Sequence, residues 1–178
     1  MTDRMHFDYD VKYLLRMASS DNPKYAYLAG EAMEDEGYHP FYVQVMYRCA
    51  ADGGYSPAKR WLGILGLCHQ LLDKDSGFSE KRCCQGYDEA IAWLKKASSQ
   101  KDRISACILA KCHELGVGME ADETAAADEM RKLDPPPSDR EKKQIDFCFE
   151  AQQMGDDREA LTRFRGLCRS ALFSDLNR

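Results

Sequence analysis

The stretches that decide the fold are MYRCAADGGYSPAKRWLG at residues 46–63 and WLKKASSQKDRISACILA at residues 93–110. They align without gaps at an offset of 47 residues. Each begins with a large apolar side chain, continues through a pair of small residues and ends with Leu followed by Gly or Ala. Small side chains let two helices cross closely, and large ones fill the space beside them. The alignment therefore predicts the same helix-to-helix junction at two places in the chain.

Helix signals continue on both sides of these stretches, whereas alternating strand patterns are nearly absent. Proline stands at the first turn of three predicted helices, and the run 134–137 ends another. Capping-box patterns at 138–141 and 156–159 begin the last two helices. We predict about nine helices and no sheet. They cover residues 10–18, 22–37, 39–54, 56–72, 88–98, 103–115 and 122–133, with two more after residues 138 and 156.

Length and charge restrict the function. The chain has 178 residues, which suits one domain with a real core. Lys and Arg number 25 against 30 Asp and Glu, and the resulting charge of −5 disfavours binding to nucleic acid or to an anionic membrane surface. The sequence shows neither a signal-peptide pattern nor an apolar run long enough to span a membrane. We therefore expect a cytoplasmic protein.

The cysteine and histidine residues do not form a catalytic or metal-binding motif. In a reducing compartment the eight cysteines are expected to be free, and most of them to be small core residues, as for Cys49, Cys107, Cys148 and Cys168. Cys107 and Cys112 would lie about 140° apart on a helix, too far apart to hold one zinc ion together. The sequence also shows no nucleophile elbow and no phosphate loop. We expect no catalytic residue, no cofactor and no metal.

The order of small and aromatic residues resembles the Sel-one-like repeat family, a branch of the tetratricopeptide-like α-solenoids. Two features depart from that family's pattern: an insertion at 73–86, and Gly66 and His113 in place of its helix-A tyrosine. The matching residues are Ala50, Ala51, Gly54, Ala58, Leu62, Gly63, Asp88, Ala90, Trp93, Leu94, Lys96, Ala97, Ser105, Leu109, Gly116, Gly118, Asp122 and Ala126.

The resemblance implies an all-α fold, an α-solenoid of antiparallel helix hairpins with terminal capping helices. We expect a single domain over residues 1–178. Its N-terminal helix would lie within 1–21, about three repeats would span 22–133, and a capping helix pair would span 138–178. The pair would shield the last apolar face of the stack.

The resemblance also implies that the first helix of each hairpin lines an inner face that binds partners. Arg60 and Lys111 are expected to be solvated there. The stripe of Arg158, Arg165 and Arg169 could bind a partner, but we favour a solvated face. The predicted inner-face residues are Met33, Glu34, Arg60, Ile64, Leu67, Cys68, Lys111, Glu114 and Leu115.

Three functions follow from this interpretation. The first is a non-enzymatic scaffold or adaptor that binds a protein or peptide. The second is a bacterial immunity-type protein that neutralises a cognate toxin, which the small size and acidic charge permit. The third and weakest is a hydrolase of the cysteine-rich branch of the family. That branch carries a cysteine in both helices of each hairpin, which this chain lacks.

Overall fold

The computed structural model describes residues 22–72 and 87–169, together with positions 13, 15, 16 and 18. In this part of the chain every regular element is an α-helix, which confirms the predicted all-α class. None of these helices is both long and apolar enough to cross a membrane. Within residues 22–72 and 87–169 the helices are α1 (Pro23–Asp35), α2 (Pro40–Asp52), α3 (Ser56–Leu67), α4 (Asp88–Ser99), α5 (Arg103–Leu115), α6 (Glu123–Arg131), α7 (Asp139–Gln153) and α8 (Asp157–Arg169).

Some predictions fall on other parts of the chain. Most of the predicted N-terminal helix, the insertion at 73–86 and the end of the C-terminal pair beyond residue 169 lie outside the described residues. Within the first of these, positions 13, 15, 16 and 18 are helical.

The helix starts follow from local chemistry. Asn22 precedes the proline of α1, and its side chain accepts a hydrogen bond from the backbone N–H of Lys24. The α7 capping box forms as predicted, because the Ser138 hydroxyl accepts from the Glu141 N–H while the Glu141 carboxylate accepts from the Ser138 N–H. These side chains satisfy backbone donors that a helix leaves unpaired at its first turn.

One predicted boundary is wrong. Helix α3 ends at Leu67 rather than at Leu72, and His69 adopts a positive φ of 50° just beyond it. A left-handed residue ends the helical hydrogen-bond series. Leu71 and Leu72 are nevertheless buried, so their apolar side chains extend the hydrophobic pattern past the end of the helix.

Consecutive helices pack against each other in pairs: α1 with α2, α3 with α4, α5 with α6, and α7 with α8. Successive pairs touch through α2 with α3 and α4 with α5, and α5 also contacts α7. At the α3–α4 crossing, a Cβ added to Gly63 would lie 2.5 Å from Leu94 Cγ. Of the small residues that the alignment matches, Ser98 is half-buried and these are buried: Ala50, Ala51, Ala58, Gly63, Ala97, Ser105 and Ala110.

The last helix pair also contacts helices that are distant in the chain. Helix α7 packs against α5, whereas α8 contacts α3. It also reaches α1, because Arg165 on α8 pairs with Glu34 on α1. The pair therefore covers one face of the earlier helices in addition to extending the stack.

The described cysteines are free, and most are buried as expected. Cys107 and Cys148 lie in the core, and Cys168 is half-buried. Cys49 is exposed, so its predicted core position is wrong. The reason is its place on α2, where Val43, Tyr47 and Ala50 form the buried face.

Candidate functional site

The structure divides the nine predicted inner-face residues into two groups. Glu34, Lys111 and Leu115 are partly exposed, and Glu114 is exposed. The remaining five are at most 7% exposed, so their predicted place on an open surface is wrong. Arg60, Ile64 and Leu67 lie on α3, which packs against α2, α4 and α8, and Met33 lies on the side of α1 that packs in the core. These five residues are Met33, Arg60, Ile64, Leu67 and Cys68.

Arg60 shows most clearly why the solvated assignment fails. Its Nη1 donates to Asp102 Oδ2 at 2.7 Å, and the two side chains are only 9% and 3% exposed. Asp102 also caps α5 by accepting the Ser105 N–H at 2.9 Å. Arg60 therefore links α3 to the start of α5 inside the protein and does not face solvent.

Lys111 is likewise engaged within the chain. Its Nζ lies 2.7 Å from Asp146 Oδ1 on α7 and 2.9 Å from Glu114 Oε1 on its own helix. Its side chain is 16% exposed, so the expectation of a solvated lysine is wrong here too. A cavity of about 260 Å³ lies beside it between α5, α6 and α7. Because both carboxylates already balance the ammonium, this cavity offers no unpaired charge from Lys111 to a ligand.

A more unusual cluster lies where α1, α2 and α3 face α8. Tyr27, Glu31 and Glu34 project from one side of α1, since spacings of four and three residues bring side chains to the same helix face. Tyr47 of α2 and Trp61 of α3 complete the cluster around a cavity of about 40 Å³. That volume accommodates water molecules. We call these five residues the acidic–aromatic site.

The carboxylates of this site are held in place by phenol groups. Tyr27 Oη donates to Glu31 Oε1 and Tyr47 Oη donates to Glu34 Oε2, both at 2.9 Å. The Tyr27 and Tyr47 rings lie 5.5 Å apart between centroids, and Tyr47 meets Trp61 edge-on at 6.4 Å. Burial raises the pKa of both tyrosines, so they remain hydrogen-bond donors. Burial also raises the pKa of Glu31.

Helix α8 closes the site with basic side chains. Arg165 Nη2 lies 2.5 Å from Glu34 Oε1, and its guanidinium carbon lies 5.4 Å from the Trp61 ring centroid. Arg169 Nη2 lies 3.5 Å from Asp35 Oδ1. The preferred interpretation of these arginines as a solvated face is therefore wrong for Arg165, whose side chain is 35% exposed, whereas Arg169 is exposed as expected. Arg158, the third member of the stripe, is exposed as expected.

The contact between α8 and the site is incomplete. Trp61 is 5% exposed, yet its Nε1–H has no hydrogen-bond partner within the described structure, and the same holds for Arg165 Nε. Both side chains line the 40 Å³ cavity. A second cavity, of about 240 Å³, lies on the other side of Glu34 and is lined by Tyr38, Leu161 and other residues. Buried donors without partners are uncommon in proteins.

The described thiols and the acidic–aromatic site differ in the chemistry that they offer. Burial raises the pKa of Cys107, Cys112 and Cys148 to about 12 and raises that of Cys68 as well. A nucleophilic cysteine needs the opposite shift. No group of three or more metal-ligating side chains lies together within the described residues. The site instead offers ordered carboxylates and an aromatic surface, which attract cationic groups.

Comparisons of the chain with protein-family models, curated proteins and solved structures find no match. The site is thus described by its own geometry alone. Of its members, the sequence predicted Glu34 as a binding residue and missed Tyr27, Glu31, Tyr47 and Trp61. The available signal was the spacing of Tyr27, Glu31 and Glu34 along one helix face.

Proposed function

We propose that this chain is a non-enzymatic interaction module that binds a protein or peptide partner. We further propose that its helix pairs form an α-solenoid of the Sel-one-like, tetratricopeptide-like type, and that it acts in the cytoplasm. Support comes from the successive helix pairs in contact and from the small buried residues shared by two junctions. Such stacks use the first helix of each pair for binding.

The observation that carries the proposal is the position of Glu34. It stands between two cavities, and Tyr47 fixes its carboxylate. Tyr38, which is 38% exposed, and Leu161 line the larger cavity. An ordered charge beside a partly open apolar surface is typical of a surface that receives a protein side chain. The net charge of −5 favours a protein partner over nucleic acid.

The buried thiols among the described residues support a hydrolase less well than a binding module. The four buried thiols with raised pKa values would be poor nucleophiles at neutral pH. The partner's identity distinguishes the two binding functions, because a toxin would indicate an immunity-type protein and a set of cellular proteins would indicate an adaptor.

The test uses two exposed aromatic positions as a matched pair. A photoreactive phenylalanine analogue replaces Tyr38 beside the site in one chain and Phe147 on α7 in another, where the native ring is 51% exposed. Both chains are irradiated in native cells, and cross-linked proteins are identified by mass spectrometry. We expect a specific partner from position 38 and none from position 147.

Two outcomes would overturn the proposal. Equal cross-linking from both positions, or cross-linking from position 147 alone, would remove the binding site from this face. The absence of any cross-linked protein, combined with turnover by the purified chain in a hydrolase screen, would replace the interaction module with an enzyme.

A further inference from the structure

Helix α8 presents a continuous stripe to the face formed by α1, α2 and α3. Leu161, Arg165, Cys168 and Arg169 are separated by four, three and one residues, which places them on one side of a helix. Leu161 lines the larger cavity, and the other three line the acidic–aromatic site. The stripe thus combines one aliphatic contact with two cations. This is the arrangement by which an amphipathic helix binds in a groove.

The site complements that stripe in charge and shape. Glu34 and Asp35 are adjacent acidic residues on α1, and they meet arginines that are one helical turn apart on α8. Trp61 supplies an aromatic surface for the guanidinium of Arg165. Guanidinium groups suit such sites because they pair with carboxylates and stack on aromatic rings at the same time.

Helix α8 leaves hydrogen-bond donors without partners and two cavities unfilled at the acidic–aromatic site. Arg165 contacts Glu34 through Nη2, and its Nε has no hydrogen-bond partner. Trp61 Nε1 also has no hydrogen-bond partner. Cavities of about 40 and 240 Å³ remain on the two sides of Glu34. Trp61 is only 5% exposed, and its indole N–H has no partner. Such a buried donor marks a place for a hydrogen-bond acceptor.

We propose that the acidic–aromatic site recognises an arginine-bearing amphipathic helix of a partner protein, and that α8 is the chain's own occupant, which the partner helix replaces. This rests on the proposed function and specifies the partner's chemistry. The partner helix carries an aliphatic residue followed by arginines four and eight positions later. It fills the larger cavity more fully than Leu161 and supplies an acceptor to Trp61 Nε1.

Because α8 occupies the acidic–aromatic site, it lowers the affinity of the chain for an added helix. Residues 154–156 connect α8 to α7, so α8 competes from a high effective concentration. The apparent affinity for an added helix equals the intrinsic affinity multiplied by the fraction of molecules whose site is open. Weakening the hold of α8 must therefore strengthen binding of an added helix. The Arg165–Glu34 contact is partly exposed, at 35% and 23%, so we expect a gain of roughly fivefold.

The experiment titrates the full chain with a fluorescent synthetic peptide of residues 157–169. The peptide carries blocked ends and Cys168→Ser, and binding is followed by fluorescence anisotropy. The wild-type chain is compared with Arg165→Ala and with the matched control Arg163→Ala. Arg163 lies on the same helix but pairs with Glu159 and stacks on Phe147, away from the site. A second peptide carries Arg165→Glu and Arg169→Glu.

We expect the Arg165→Ala chain to bind the first peptide about fivefold more tightly than the wild-type and Arg163→Ala chains. Adding Glu34→Gln to Arg165→Ala should abolish the gain, and the charge-reversed peptide should not bind. Circular dichroism confirms that each chain is folded. Arg165→Lys provides a milder change with an intermediate effect, because an ammonium cannot reproduce the planar contact.

Equal affinities for the Arg165→Ala and Arg163→Ala chains would overturn the inference, as would equal binding of the two peptides. This failure is distinguishable from failure of the proposed function. A partner cross-linked from position 38 without peptide binding would leave the interaction module in place with a different ligand. Peptide binding without any cross-linked partner would leave the site chemistry in place and remove the cellular function.

Discussion

Two arginine–glutamate contacts between helices differ sharply in this molecule. Between α5 and α7, Arg103 holds Glu141 with two hydrogen bonds, from Nε at 2.8 Å and from Nη2 at 3.2 Å. These side chains are 10% and 7% exposed, and Glu141 also takes part in the α7 capping box. Between α8 and α1, Arg165 reaches Glu34 through Nη2 while its Nε lacks a partner.

The comparison separates buried contacts between successive helix pairs from more exposed contacts between the last helix and the first. Arg103–Glu141 and Arg60–Asp102 are buried and join successive helix pairs. Arg165–Glu34 and Arg169–Asp35 are more exposed and join the last helix to the first. A buried charge that loses its partner is strongly destabilising, whereas an exposed pair contributes little.

The largest expected effect tests a buried contact. Arg60→Leu leaves Asp102 charged and buried, so we expect it to lower the free energy of unfolding by about 3–5 kcal/mol. Arg165→Leu is the matched control and should cost much less. Urea unfolding followed by circular dichroism measures both. A similar small effect for the two variants would contradict the distinction between buried and exposed contacts.

Glu141 allows the same contact to be tested by pH. The hydrogen bond from Arg103 holds its pKa at about 2, below the ordinary 4.5. A lowered pKa contributes stability that is present above about pH 4.5 and lost as the pH falls toward about 2. At pH 7 we expect Glu141→Gln to be less stable than wild type by about 2–3 kcal/mol. The difference should shrink when urea unfolding is repeated at pH 3, and a constant difference would contradict the assignment.

A pair of glycines tests how closely the two regions pack. Gly63→Leu places atoms against Leu94 at the α3–α4 crossing, and we expect a loss of about 1–3 kcal/mol. Gly166→Leu on α8 is the control, because a Cβ there meets nothing within 4 Å. Thermal unfolding should show a lower midpoint for the first variant and no loss for the second. Equal losses would indicate that the effect of Gly63→Leu does not come from its contact with Leu94.

The smallest expected effect concerns the α8 contact itself. Arg165→Ala should lower the free energy of unfolding by only about 0.5–1 kcal/mol, since its pair is partly exposed. Its difference from Arg163→Ala should also shrink in high salt, which screens exposed charges. Urea unfolding at low and high salt checks both statements. A loss above about 3 kcal/mol would place Arg165 with the buried contacts between successive helix pairs.

Local features of the fold were predictable to different degrees. The prolines and capping residues predicted the starts of most helices, because each cap acts within a few residues of its own backbone. The end of α3 was not predicted, since Leu71 and Leu72 are buried without being helical. The exposure of Cys49 was not predicted either, because its apolar neighbours on α2 face the core while Cys49 faces solvent.

The candidate site was predictable only in part. The family resemblance predicts Glu34 as a binding residue, but it places Arg60 in solvent, and the sequence favours a solvated face for Arg165. A side chain's position on a helix does not show what covers that face. Here the covering element is a helix more than a hundred residues away, since Arg165 and Glu34 are separated by 131 positions.

The all-α class, most helix starts and the small residues at two helix junctions follow from the residues alone. These features depend on short-range sterics and backbone hydrogen bonds, which act within one helix or between neighbours in the chain. The contacts of α8 with α1 and α3, the burial of Arg60 against Asp102 and the pairing of Arg165 with Glu34 follow from the packing of the whole chain. Those pairings depend on the packing angles of all the helices between them, which no local pattern specifies.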